Sequence, residues 1–114
     1  MLKKSLIVLI AVLILEIVLG MTLLNNYNAD LKTVHGITGA LVGLTAAVTV
    51  YAAFREKAAR ATIGLVVAAF AFVILAAVGG KMTATDYDQG LMLMRTSAIV
   101  ALALSLVSFY KLRK

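Results

Sequence analysis

The sequence predicts an all-α integral membrane protein: four transmembrane helices in an antiparallel bundle, arranged as two repeated hairpins in one domain spanning residues 1–114. Three observations carry that expectation. The chain is 63% hydrophobic with a mean hydropathy of +1.05, far above the roughly 45–50% apolar content of soluble domains. Four apolar runs, at about 5–24, 34–54, 62–80 and 91–110, each come close to the ~20 residues that cross a ~30 Å hydrocarbon core at 1.5 Å per residue. The basic residues alternate between connections: Lys3 and Lys4 precede the first run, Arg55, Lys57 and Arg60 fill the second connection, and Lys111, Arg113 and Lys114 end the chain.

This is the pattern of basic residues held on the cytoplasmic side. It predicts a multi-pass protein of the cell membrane with both termini and the middle connection in the cytoplasm. Topology and attraction to anionic headgroups account for the net charge of +6 without a nucleic-acid surface. The runs leave no room for a soluble catalytic domain, so any site must be built from helix faces and short loops, and an enzyme is not the expected class. The absence of cysteine excludes disulfides, thiolate metal sites and cysteine nucleophiles. The amino terminus resembles a signal peptide in its basic start and apolar core. It has no clean small-x-small cleavage site, however, and is long enough to span.

Helix 1 is β-branched and leucine-rich to Ile14, as suits a lipid-facing helix, and is then interrupted by Glu16. An ionised carboxylate at that depth costs at least ~2.5 kcal/mol, so Glu16 should face the bundle interior or carry a proton. Gly20 follows one turn later on the same face, where it allows close approach of another helix or a flat ligand. The polar stretch that follows supplies Asn25, Asn26, Asn28 and Asp30 as turn formers, with Thr33 or Asp30 as the cap of helix 2. In helix 2, His35, Gly39 and Gly43 recur every four residues with Gly36 and Ala40 beside them, a small-residue face expected to pack inward. Counted from the outer end near Asn25, Glu16 lies roughly 13 Å below the surface, and His35 lies only about a turn below it. That count places the two about 10 Å apart in depth and predicts no direct contact.

Helix 3 carries no ionisable side chain within its apolar run and closes on Gly79 and Gly80, a pair that suits a helix C-terminus. Helix 4 places Arg95 about a turn below the surface and sets Ser97, Ala101, Ser105 and Ser108 along one small, hydrogen-bonding stripe. Arg95 is expected to snorkel outward or to pair with Asp30, Asp86 or Asp88. Comparing the halves at an offset of 60 aligns Gly20 with Gly80, Tyr27 with Tyr87 and Leu31 with Leu91, and sets His35 against Arg95. Such a duplicated hairpin would relate the halves by an axis along the membrane normal, with ligand sites between them.

Two residues carry the candidate chemistry. His35 suits an axial ligand to haem iron, with Gly20 and Gly39 making room for a porphyrin and Lys32, Lys81 and Arg95 available to its propionates. The alternative is a histidine hydrogen-bonded at a helix interface. Glu16 is a candidate proton or cation site, the alternative being a protonated carboxyl bonded to a neighbouring helix. Met82, Met92 and Met94 could supply a sixth iron ligand, although methionines near a helix start more often serve packing.

The stretch Glu16-x-x-x-Gly20-x-Thr22, followed fifteen residues after Gly20 by His35, resembles the helix, loop and helix hairpin of the haem A synthase family. The segment from Gly79 and Gly80 to Arg95 resembles a second copy. The resemblance implies a half-size four-helix bundle holding haem near the outer side through His35. Arg95 stands where that family has a second histidine, and the family's Glu-x-x-His-Arg signature has no counterpart, so the likeness points to a haem-binding relative rather than a full synthase. Glu16, Gly20 and Thr22 also resemble helix 1 of small multidrug resistance transporters, which implies proton-coupled efflux through Glu16; their tryptophan and prolines have no counterpart here. A third possibility is an accessory subunit, packing against a larger membrane complex or forming a homo-oligomer in the lipid bilayer.

Overall fold

Four helices account for nearly all of the chain in a computed structural model that describes residues 1–25, 29–83 and 85–113. They are α1 (Leu2–Asn25), α2 (Ala29–Arg55), α3 (Arg60–Met82) and α4 (Tyr87–Arg113). All four are long and apolar enough to cross a membrane, and no strand occurs among the described residues. The chain runs up and down, each helix packing on its sequence neighbours, and α1 closes the ring against α4. The bundle's long dimension is 42 Å, close to the ~40 Å of a 27-residue helix.

Every helix outruns the apolar segment that predicts it, because hydropathy marks hydrocarbon depth while the backbone stays helical into the polar boundary. The largest change is in α2, which begins at Ala29 rather than Val34. Asp30 therefore lies in its first turn, where a carboxylate suits the helix dipole. The hydroxyl of Thr33 donates to the Ala29 carbonyl at 3.2 Å, so neither residue caps the helix. The expected turn formers Asn26 and Asn28 lie outside the described residues. At α4 the cap is Asp86, whose carboxylate accepts from the Gln89 amide at 3.3 Å.

The core combines one leucine seam with many small residues. Leu2, Leu6, Leu9 and Leu13 of α1 are buried at the three- and four-residue spacing of a helix seam, so the leucine-rich half of α1 faces the core along this stripe and is exposed along Ile7, Val8 and Ile14. Opposite it lie Val42, Ala46, Thr49, Ala52 and Ala53 of α2 and Val66 and Val73 of α3. The stripe on α4 is buried as expected, with Ser97, Ala101, Ser105 and Ser108 all at 2% exposure or less. Its hydroxyls turn back on their own helix: Ser105 donates to the Ala101 carbonyl and Ser108 to that of Leu104, both at 2.8 Å. Small size, rather than interhelical hydrogen bonding, is what Ser105 and Ser108 contribute.

Gly79 and Gly80 do not end α3, which continues to Met82. Gly79 instead admits the α4 backbone: a Cβ there would lie 2.6 Å from the Met94 nitrogen, and one at Gly90 would lie 2.5 Å from the Thr83 nitrogen and 2.7 Å from the Gly79 oxygen. These two glycines draw α3 and α4 together backbone to backbone near their shared connection. At the opposite end, α2 finishes in a Schellman motif. The Ala58 amide donates to the Ala53 carbonyl at 3.0 Å and the Lys57 amide to that of Phe54 at 3.2 Å, with Lys57 in the left-handed region at φ 53°. Beside it the Glu56 carboxylate accepts from the Leu2 amide at 2.7 Å, tying the start of α1 to the α2–α3 connection.

Two stability predictions follow from these contacts, read by thermal unfolding in detergent micelles with circular dichroism. Gly79→Ala and Gly90→Ala should each destabilise by about 1–3 kcal/mol through overpacking, whereas Gly64→Ala, whose Cβ meets nothing within 4 Å, should stabilise by roughly 0.5–1 kcal/mol. Lys57→Gly should raise stability by about 1 kcal/mol by relieving a left-handed non-glycine residue.

Candidate functional site

Three of the four residues expected to hold a cofactor meet the carboxylate expected to hold a proton, at one place between α1 and α2. Nδ1 of His35 lies 2.8 Å from Oε1 of Glu16, with side-chain exposures of 21% and 18%. The depth count that separated them fails because α2 starts five residues earlier than its apolar run. His35 then sits six residues into α2, about 9 Å down, against about 13 Å for Glu16. Their side chains cover the remaining few ångströms.

Both contacting atoms are sealed from solvent, yet neither completes an aligned hydrogen bond among the described residues. Buried polar atoms without full satisfaction are uncommon in native proteins, and each calls for an explanation.

The glycines make this contact possible, and they do so reciprocally. A Cβ on Gly39 would lie 2.6 Å from Oε2 of Glu16, and one on Gly20 would lie 3.4 Å from Cε1 of His35. Each helix carries a polar side chain and a glycine one turn apart, and because the helices are antiparallel each side chain lies over the other helix's glycine. The room expected for a porphyrin at Gly20 and Gly39 is filled by the imidazole and the carboxylate. Gly36 and Gly43 have nothing within 4 Å of where a Cβ would stand, and Gly36 and Ala40 are exposed, so of the expected small-residue face only His35 and Gly39 meet α1, and the buried stripe of α2 runs instead through Thr38, Val42, Ala46 and Thr49.

Arg95 stands apart from this cluster. It is exposed on α4, where it lines a shallow groove with Asp88, Leu91, Met92, Thr96 and Ile99, and it forms no ion pair with Asp30, Asp86 or Asp88 among the described residues. In the second hairpin the residue facing Gly80 is Met94, whose sulfur would lie 3.6 Å from a Cβ there. The helical packing thus sets Met94, one residue before Arg95, in the place that His35 occupies opposite Gly20. Among the described residues, no group of three or more histidine, cysteine, aspartate or glutamate side chains gathers to hold a metal ion.

What sequence reasoning missed is the pairing itself, and its signal was present. Glu16 with Gly20, and His35 with Gly39, share a four-residue spacing with the polar residue first in each, a pattern that interlocks when two helices run antiparallel. No protein-family model, curated protein or solved structure matches the chain, so the functional reading rests on this geometry.

Removing one partner should cost much more than removing both. His35→Ala and Glu16→Ala are each expected to destabilise by about 3–5 kcal/mol, because each leaves an uncompensated polar or charged group in the bilayer. Glu16→Leu combined with His35→Leu should lose far less than the sum of the single changes, and a double-mutant cycle of unfolding in micelles measures that coupling.

Proposed function

We propose that this chain is a small multi-pass protein of the cell membrane, with both termini cytoplasmic, whose Glu16–His35 pair binds and releases a proton in the transport of a cationic solute. The observation that supports this reading is a carboxylate and an imidazole 2.8 Å apart, held between two transmembrane helices, with Oε1 of Glu16 and Nδ1 of His35 buried and without an aligned hydrogen bond among the described residues. Intramembrane acidic residues and histidines are the usual parts of proton relays.

The chemistry follows from charge balance in a medium of low dielectric. The pair is neutral when it holds one exchangeable proton, either as carboxylate and imidazolium or as carboxyl and imidazole. Loss of that proton leaves one negative charge, which a bound cation compensates; rebinding the proton restores neutrality and releases the cation. Proton and cation therefore compete for one site, the elementary requirement of exchange transport. Gly39 matters directly, since the space beside it is where Oε2 of Glu16 rests.

A second reading is favoured by one specific feature. Histidines that ligate metals commonly have the other ring nitrogen held by a carboxylate, and Nδ1 of His35 is so placed by Glu16, leaving Nε2 as the donor. The donor fits an axial haem ligand, but the glycine hollows do not supply the porphyrin's space, so a haem would have to meet Nε2 outside the α1–α2 seam or at a contact with a second chain.

Reconstitution into vesicles separates the two. With a proton gradient imposed, a lipophilic cation such as tetraphenylphosphonium should accumulate in the parent protein's vesicles and not in those bearing Glu16→Gln; absence of gradient-driven uptake in the parent contradicts the transport reading. Protein expressed with ample haem and showing a Soret band that His35→Ala abolishes would favour the ligand reading instead.

A further inference from the structure

Arg95 presents a separate problem. α4 has 27 residues, about 40 Å of helix, and therefore overhangs a ~30 Å hydrocarbon core by about 5 Å at each end. Arg95 lies eight residues after Tyr87, about 12 Å down the helix and so about 7 Å inside the hydrocarbon. It is exposed and makes no ion pair among the described residues. A guanidinium facing lipid at that depth is costly unless it reaches the headgroup region or an anionic partner. Helical side chains lean toward the helix N-terminus, which for α4 is the end joined to the connection at 83–86, so the Arg95 stem rises toward the headgroups.

Two turns further out on the same face is Asp88, also exposed and without an ion pair among the described residues. Asp86, not Asp88, caps the helix, which leaves Asp88 unassigned. Between and below the two charges run Leu91, Met92 and Ile99, with Met92 71% and Ile99 57% exposed. From the surface inward the groove thus reads carboxylate, guanidinium with the Thr96 hydroxyl, then apolar side chains. A zwitterionic phospholipid reads ammonium, phosphate, acyl chain in the same order.

We propose that this face of α4 binds a zwitterionic phospholipid with a primary ammonium, such as phosphatidylethanolamine, its phosphate on Arg95 and its ammonium on Asp88. Charge complementarity selects this occupant. An anionic headgroup would satisfy Arg95 but meet repulsion from Asp88, and a partner helix presenting a carboxylate would leave Asp88 without a counter-charge. The site is independent of the Glu16–His35 pair.

Native mass spectrometry of the purified protein, with phosphatidylethanolamine or phosphatidylglycerol of identical acyl chains added to the micelles, tests the assignment. The parent should retain phosphatidylethanolamine several-fold better than phosphatidylglycerol. Asp88→Asn should remove that preference while keeping phospholipid binding, and Arg95→Gln should lower retention of both lipids. Unfolding in lipid-free micelles should be unchanged in Arg95→Gln and only slightly weakened in Asp88→Asn, which loses a first-turn carboxylate at the helix dipole; among the described residues neither side chain makes an ion pair. Equal retention of the two lipids by the parent, a preference that survives Asp88→Asn, or a copurifying membrane protein that displaces lipid from this face would overturn the proposal.

Discussion

The contact between Glu16 and His35 constrains the α1–α2 half of this molecule. Two polar side chains set within otherwise apolar helices are costly facing lipid and tolerable facing each other. At 2.8 Å their pairing fixes the register of α2 against α1, because a slip of one helical turn would set Glu16 against a residue other than Gly39. Polar groups placed in an apolar seam specify alignment in this way, at some expense in stability.

The two halves of the bundle reach close packing by different means. Between α3 and α4, Gly79 and Gly90 remove side chains altogether, and backbone meets backbone. Between α1 and α2, Gly20 and Gly39 remove side chains so that an imidazole and a carboxylate can occupy the space. The first arrangement has no titratable group among the described contacts of Gly79 and Gly90. The second holds an imidazole and a carboxylate 2.8 Å apart, and the buried residues of α1, Leu2, Leu6, Leu9 and Leu13, lie N-terminal to it along the helix. From Glu16 outward no described residue of α1 is fully buried. The polar seam thus lies in the less enclosed part of the bundle.

The number of helices, their apolar character and the small stripe on α4 were legible because each depends on composition and spacing along a single helix. Contacts between helices depended on where the helices begin, and hydropathy does not report that. Starting α2 at Val34 instead of Ala29 moved His35 by five residues and removed the central contact. The glycines show the same limit. Gly79 read as a terminator because glycine is common there, while Gly90, outside the apolar run, attracted no notice; their shared role is apparent only when α3 and α4 are side by side. Lys57 gave no signal at all, since the left-handed position that closes α2 usually takes glycine.

The central claim, that the carboxylate of α1 and the imidazole of α2 are in direct contact within the membrane, is open to a single spectroscopic distance. The chain has one histidine, so nitrogen-15 labelling of histidine gives an unambiguous site, and the only other glutamate, Glu56, is engaged with the Leu2 amide at the far end of the bundle. Solid-state NMR of the protein in lipid bilayers, with histidine labelled in the ring and glutamate in the side-chain carboxyl, measures the dipolar coupling between them. A strong coupling from Nδ1 to the Glu16 carboxyl carbon, lost in Glu16→Gln prepared without labelled glutamine, is the expected result. A His35 ring with no measurable coupling to any glutamate carboxyl would contradict the account.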